Sequence, residues 1–207
     1  MVARTAKRGE TGGRRDALIA AAARRLAARG YEGTPIRDIA KDVGMLPGSI
    51  YYHFKSKEEL VIAVHAKGVS LVMEAVQRAV QSAGEDPWAR LTAAAEAHLE
   101  VLLGDNDFSR VVTPQFTENF GEPLRTKLIA QRDEYEHYFV GLMERLPLPA
   151  GANRQLFRLS LLGSLNWTLT WYHPGRKKPA TLARQMIDLY RKPLDITQKL
   201  KREPGNS

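Results

Sequence analysis

Residues 30–60 read GYEGTPIRDIAKDVGMLPGSIYYHFKSKEEL, and the punctuation inside this stretch decides the fold. Thr34 can cap a helix whose first position is Pro35, because proline lacks the amide hydrogen that a helix leaves unbonded there. That helix runs from Ile36 to about Val43 and stops at Gly44, a residue suited to the left-handed conformation past a helix end. After a short turn, a second helix starts at Pro47 or Gly48 and ends near His53. Ile36, Ile39, Ala40, Val43 and Ile50 form the apolar faces that set the angle between the two, and the small Ala40 lets them approach closely. Ser56 then offers a cap with Glu59 three residues later, a capping box that opens a long helix to about Gln81.

Outward from this stretch the pattern stays helical. Upstream, Leu18, Ile19, Ala22 and Leu26 recur at three to four residues, giving a helix over about 14–29 that ends at Gly30. Residues 1–13, with Gly12 and Gly13, read as a disordered basic arm. Downstream, breaks at 84–87, 146–149 and 174–175 separate helices over about 88–103, 108–120, 123–146 and 153–172, and a last one after Pro179. Pro114 is expected to interrupt the 108–120 segment, and Pro193 to bend or end the last helix. No segment alternates as a strand would. The expectation is an all-α protein of about nine helices, with an arm at 1–13, a head at 14–57 and a body at 58–207.

Composition narrows the function classes. With 207 residues and 43% apolar content the chain can bury a sizeable core. It has no cysteine, which excludes disulfides and thiolate metal sites. No apolar run approaches the roughly 18 residues needed to span a bilayer. The opening MVARTAKRGETGGRR is basic but lacks the apolar segment of a signal peptide, so a cytoplasmic protein without membrane partners is expected. The net charge of +8 is unevenly placed. Residues 1–57 hold twelve Lys/Arg and five Asp/Glu, residues 58–175 ten and fifteen, and residues 176–207 nine and three. A basic first quarter on an acidic middle suits a polyanion at one end.

Two short helices across a glycine turn form a helix-turn-helix, whose second helix enters the DNA major groove. The quoted stretch is similar to the N-terminal domain of the TetR family. The RGY ending of helix one, T-x-x-x-IA of helix two, G-SIYYHF of helix three and KSKEEL of helix four all fall at that family's spacing. The resemblance implies a dimer with a three-helix DNA-binding head and a ligand-binding body. It implies that Thr34 and Arg37 touch backbone or bases, that Pro47, Gly48 and Ser49 face bases, and that Tyr51, Tyr52 and His53 hold phosphates. Lys57 would add a phosphate contact at the start of helix four. Leu46 and Pro47 depart from the more polar residues many members carry, which shifts base readout toward Ser49, Arg37 and contacts of apolar groups with thymine methyls. A core role in the head competes for Tyr51 and Phe54, and Phe54 fits it best. Lys7, Arg8, Arg14 and Arg15 suit a DNA-following arm and equally a solvated tail.

The body is less specific. The resemblance implies a dimer through the last two helices, where Leu156, Leu159, Leu162, Gly163, Leu169, Leu182, Met186 and Leu189 supply apolar stripes; an intrachain core is the competing use of these residues. It also implies a small-molecule pocket walled by residues among His98, Leu102, Phe116, Asn119, Phe120, Tyr135, Tyr138, Phe139, Asn166, Trp167 and Thr170. Plain packing is the competing reading for each, though His98, Asn119 and Asn166 need polar partners on apolar faces. The segment WTLTWYHPG at 167–175 resembles the W-Y-x-P-G ending of TetR-type regulators of lipid and acyl-CoA breakdown, which implies an apolar acyl or acyl-CoA effector with Arg176, Lys177 and Lys178 near the dimer edge.

Catalysis finds no support. GxSxG, HExxH, P-loop and GxGxxG are all missing, the five histidines lie at no metal-binding spacing, and no cofactor or catalytic residue is expected. The reading is a ligand-released repressor. The alternative is a helical ligand-binding or scaffold protein whose basic head meets an acidic protein or a membrane. Helix one, with alanines on its apolar side, suits packing within a head better than insertion into lipid.

Overall fold

In the computed structural model the backbone is described for residues 3–202 and the side chains for residues 13–194. Among them lie nine helices and no strand: α1 Ala3–Arg29, α2 Ile36–Asp42, α3 Pro47–Ile50, α4 Lys57–Ser82, α5 Pro87–Leu102, α6 Pro114–Glu118, α7 Leu124–Glu144, α8 Arg154–Trp171 and α9 Pro179–Arg202. The all-helical expectation holds. The backbone of α1 is helical from Ala3, well before the expected start at Arg14. The side chains of Lys7 and Arg8, assigned to a DNA-following arm, lie outside the described residues.

The chain divides into two compact units. The first holds residues up to Ser70 together with Asp105–Arg132, so the three-helix head shares its unit with the segment around α6. Its core joins Leu18, Ala22 and Leu26 of α1, Ile39 and Ala40 of α2, Ile50, Phe54, and Leu60 and Val64 of α4 with Val111, Phe120, Leu124 and Leu128. Nothing in the local periodicity of residues 105–132 announces that partnership, because it is made between segments far apart in sequence.

Local chemistry fixes the turns. Gly30 adopts φ +65 and its amide donates to Leu26 O at 2.9 Å, ending α1. Gly44 adopts φ +67; its amide donates to Lys41 O at 3.2 Å and that of Met45 to Ala40 O at 2.9 Å, the pair of bonds that closes a helix on a left-handed glycine. Arg25 of α1 grips α2 by two parallel bonds to the Asp42 carboxylate, at 2.6 and 2.7 Å, and a third to Asp38 at 3.3 Å. At α4 the expected cap forms: Glu59 N–H donates to Ser56 Oγ at 3.2 Å, while the Glu59 carboxylate accepts from the amide of Lys55 at 2.7 Å. Pro114 starts α6 instead of interrupting a longer helix, and Thr113 caps it by accepting from Phe116 N–H at 3.2 Å. Residues 108–113 form turns, since a helix running through 114 would lose the proline's missing donor.

The second unit holds Leu71–Gly104 and the chain from Asp133 onward. Here α5 lies close along α9 and also meets α8. Ala94, Ala95 and Ala183, all fully buried, keep the bulk between α5 and α9 small. Leu91 and Leu99 of α5, Leu161 and Leu165 of α8, Ile187 of α9, and Phe139 and Met143 of α7 complete the core. Asp86 caps α5, its carboxylate accepting from Ala89 N–H at 2.6 Å, and Asn153 caps α8, accepting from Leu156 N–H at 2.8 Å. Arg154 donates to the carbonyls of Met143 and Leu146, satisfying the C-terminal end of α7. Pro193 sits inside α9, which continues past it to Arg202.

A Cβ added at Gly68 of α4 would collide with Val112 Cγ1. Gly68→Ala is expected to destabilise the protein by about 1–3 kcal/mol through overpacking. Val112→Ala in the same chain should recover part of that loss, and thermal or urea unfolding of the single and double variants measures both.

Candidate nucleic-acid interface

Ile50 and Phe54 are four residues apart and both are buried, so the side chains between them are turned toward solvent. Tyr51 is 55% and Tyr52 84% exposed. His53 is half-buried and packs edge-on to the Tyr52 ring, with centroids 5.6 Å apart. Pro47 and Gly48 are exposed and Ser49 is half-buried. Helix α3 proper ends at Ile50, earlier than expected, and the chain continues in turns with His53 N–H donating to Ile50 O at 2.8 Å. Arg37 projects from α2 with its side chain 79% exposed, 3.7 Å from Asp38. A groove of about 580 Å³ runs past this face, bordered by Arg14, Leu46, Ser49, Tyr52 and His53.

Two of the expected contacts are placed differently. Thr34 is fully buried, and its hydroxyl donates to Gly30 O at 2.7 Å. It locks the α1–α2 turn, and Pro35 rather than Thr34 holds the cap position of α2, with no side-chain cap bond. A threonine before proline reads equally well as cap or turn lock; the burial that separates the two roles is tertiary. Lys57 is engaged inside the head: its ammonium donates to Tyr31 O at 2.5 Å and lies 3.8 Å from the Tyr31 ring centroid. Tyr31 also donates to Glu58 at 2.8 Å. Burial first, then this carboxylate, raises the Tyr31 hydroxyl well above the usual phenol range, while hydrogen bonds from Ser56, its own backbone amide and Tyr31 lower Glu58. Lys55, the first residue of KSKEEL and not among the expected contacts, is exposed. Its position directly after YYHF was the available signal.

In the second unit the expected pocket residues part company. His98 is buried, with Nδ1 and the Tyr135 hydroxyl 2.7 Å apart. The two rings stack with centroids 5.8 Å apart, and Phe139 packs edge-on to both. Leu102 is also buried. His98 Nε2 has no hydrogen-bonding partner of good geometry. Asn166 is near enough to favour the charged ring, but burial outweighs it and brings the His98 pKa down to about 4. Burial likewise raises Tyr135 well above its ordinary value. Tyr138 instead borders a separate groove of about 350 Å³ with Arg90, His137 and Arg145. Trp167 (58% exposed) and Thr170 face outward from α8. Phe116 and Asn119 belong to the first unit: Phe116 packs edge-on to Phe120, centroids 5.1 Å apart, and Asn119 is exposed with its amide donating to Gln115 O at 2.8 Å.

Outward on α8 lie Leu156, Leu159, Gly163, Trp167 and Trp171, one stripe at helical spacing, with open space around Gly163. Leu189 is exposed on α9, where Leu182, Met186 and Pro193 border an apolar groove of about 600 Å³. Ser160 and Tyr190, hydroxyls 2.9 Å apart, join the two helices. Among the described residues no cluster of acidic or histidine side chains could hold a metal ion, and no helix is long and apolar enough to cross a membrane.

Residues 18–64 match the family described as "Bacterial regulatory proteins, tetR family", and residues 84–194 match "Tetracyclin repressor-like, C-terminal domain". The HTH-type transcriptional repressor KstR2 of Rhodococcus jostii is 27% identical over 187 residues, covering 86% of this chain and 89% of that protein. The crystal structure of AibR in complex with isovaleryl coenzyme A and operator DNA superposes with a TM-score of 0.73 at 26% identity, over 85% of this chain and 97% of that one. FadR of Bacillus subtilis in complex with stearoyl-CoA shares the fold, with a TM-score of 0.73 at 22% identity over 84% of this chain and 95% of that one.

Because the folded state holds His98 neutral down to about pH 4 while the unfolded chain takes up the proton near 6.5, the unfolded state binds more protons in between. Stability is therefore expected to fall as pH drops from about 6.5 toward 4. His98→Gln should flatten that slope by roughly 3 kcal/mol over the interval, read from urea unfolding at a series of pH values.

Proposed function

Since the chain belongs to the tetR family of bacterial regulatory proteins, whose members are DNA-binding transcription regulators and not enzymes, we propose that it is a cytoplasmic repressor that grips operator DNA as a homodimer and is released by an apolar acyl or acyl-CoA effector. The observation that carries the DNA half is the outward presentation of Tyr51, Tyr52, Arg37, Pro47 and Gly48 on a head whose other face is buried. Tyrosine hydroxyls and the Arg37 guanidinium suit phosphate oxygens, and the small residues at the start of α3 let the backbone approach base edges. Ser49 and His53, half-buried on the same face, fit the same use. Lys55 adds a cation at the same edge.

The homodimer rests on the α8 stripe and the apolar groove of α9, which leave large side chains in water in the single chain. A two-fold dimer matches an operator whose half-sites lie about 34–36 Å apart. The effector half rests on the His98–Tyr135 pair: a buried imidazole packed against Phe139, whose second nitrogen has Asn166 close by but no well-aligned partner, suits a single polar atom on an otherwise apolar ligand. AibR, whose structure holds isovaleryl coenzyme A and operator DNA, supports an acyl-thioester effector by likeness. Helices α4 and α7 each continue from one unit into the other, so a ligand that shifts them in the second unit changes the first. Linkage requires DNA and effector to weaken one another by the same factor.

Gel-shift titration against the DNA upstream of the protein's own gene tests the reading. Retarded duplex that is released by isovaleryl-CoA or stearoyl-CoA is expected, and release by neither would overturn the effector assignment. Lys55→Ala should weaken binding to all duplexes alike and lower the slope of log Kd against log salt by about one. Leu159→Glu with Trp167→Glu should yield a monomer by sedimentation that no longer retains the duplex; a dimer of unchanged mass would place the interface elsewhere.

A further inference from the structure

Leu46 is the cap residue of α3: its backbone is extended and its carbonyl accepts from Ser49 N–H at 2.9 Å, but its side chain makes no bond to the helix end. Its isobutyl group also avoids the core, remaining 77% exposed while Ile39 and Ile50 on either side of the turn are buried. It stands in the groove of about 580 Å³ with Met45, Ser49, Tyr52 and His53. A leucine held in water by two rigid flanks, the closed glycine turn on one side and Pro47 on the other, is a preformed apolar knob.

What can receive it is set by its chemistry. It carries no donor or acceptor, so it gains nothing from a phosphate oxygen or a base edge that must be hydrogen-bonded. The major groove offers one apolar feature, the C5 methyl of thymine. The apolar surfaces suited to pairing two chains lie on α8 and α9, in the other unit. Leu46, in contrast, is surrounded by the residues placed for DNA. We infer that Leu46 is a specificity-determining residue that seats against the methyl of one thymine in each half-site. This rests on the DNA-binding reading above and adds to it which base is read and by what.

The test uses the full-length protein and a pool of random-sequence duplexes. Duplexes retained by the wild-type chain are recovered, and each thymine in the consensus is replaced in turn by uracil, which removes only the methyl. One thymine per half-site is expected at which uracil weakens wild-type binding about fourfold, the effect of returning one buried methyl to water, or about fifteenfold when both half-sites are changed. In Leu46→Ala, which alters an exposed side chain and should melt as the wild type does, the same replacement should change nothing. Leu46→Gln should select duplexes without a preferred thymine at that position. A uracil penalty that is identical in wild type and Leu46→Ala, or no penalty at any thymine, overturns the assignment while leaving DNA binding intact. If no duplex is retained at all, the DNA-binding reading falls and this one with it.

Discussion

The burial of Ile50 and Phe54 against α1 and α4 is the contact on which the reading surface depends. These two side chains sit four apart on the face that points inward, and their burial leaves Tyr51 and Tyr52 nowhere to go but out. A register slipped by one residue would bury a tyrosine hydroxyl without a partner and expose a phenylalanine, so one arrangement is strongly favoured. The Arg25 clamp on Asp42 and Asp38, the glycine-closed end of α2 and the Thr34 hydroxyl on Gly30 all act on the same outcome: they hold α2 and α3 at one angle over α1.

The second unit follows a different logic, in which polar groups are few and each has a definite place. His98 and Tyr135 satisfy one another within an apolar shell, and the imidazole stays neutral because charging it there would cost more than one hydrogen bond returns. Asn166 of α8 is the other polar group close to the ring, and its contact does not offset the burial. On the outer side of the same unit the α8 stripe has the opposite character, large apolar groups left about half or more in water. Adjacent residues of α8 separate the two, Asn166 close to the His98 ring and Trp167 turned toward solvent.

Much of the head was legible because its determinants are local. The caps at Ser56 and Glu59, the glycine ends of α1 and α2, and the passage from exposed tyrosines to buried Phe54 through YYHF involve neighbours within a turn or two. The errors also have a common cause. Thr34 and Lys57 carry groups that suit DNA, but each finds an acceptor within the head, Gly30 O for the hydroxyl and Tyr31 O for the ammonium. Trp167 and Thr170 read as pocket walls by type, yet helix rotation turns them outward. Phe116 and Phe120, both implied as pocket walls by the resemblance, pack against one another in the head's unit.

What the sequence by itself determined is the order and type of the elements, the helix-turn-helix with its outward tyrosines, and the family. Those depend on backbone propensity, capping and periodicity, which act over a few residues. The tertiary structure alone decided which polar groups are already taken, that residues 105–132 complete the head's core, that His98 pairs with Tyr135, and that Leu46 stands free in the groove. Each of these is a contact, or the lack of one, between residues distant along the chain, and no local pattern encodes whether such a partner arrives.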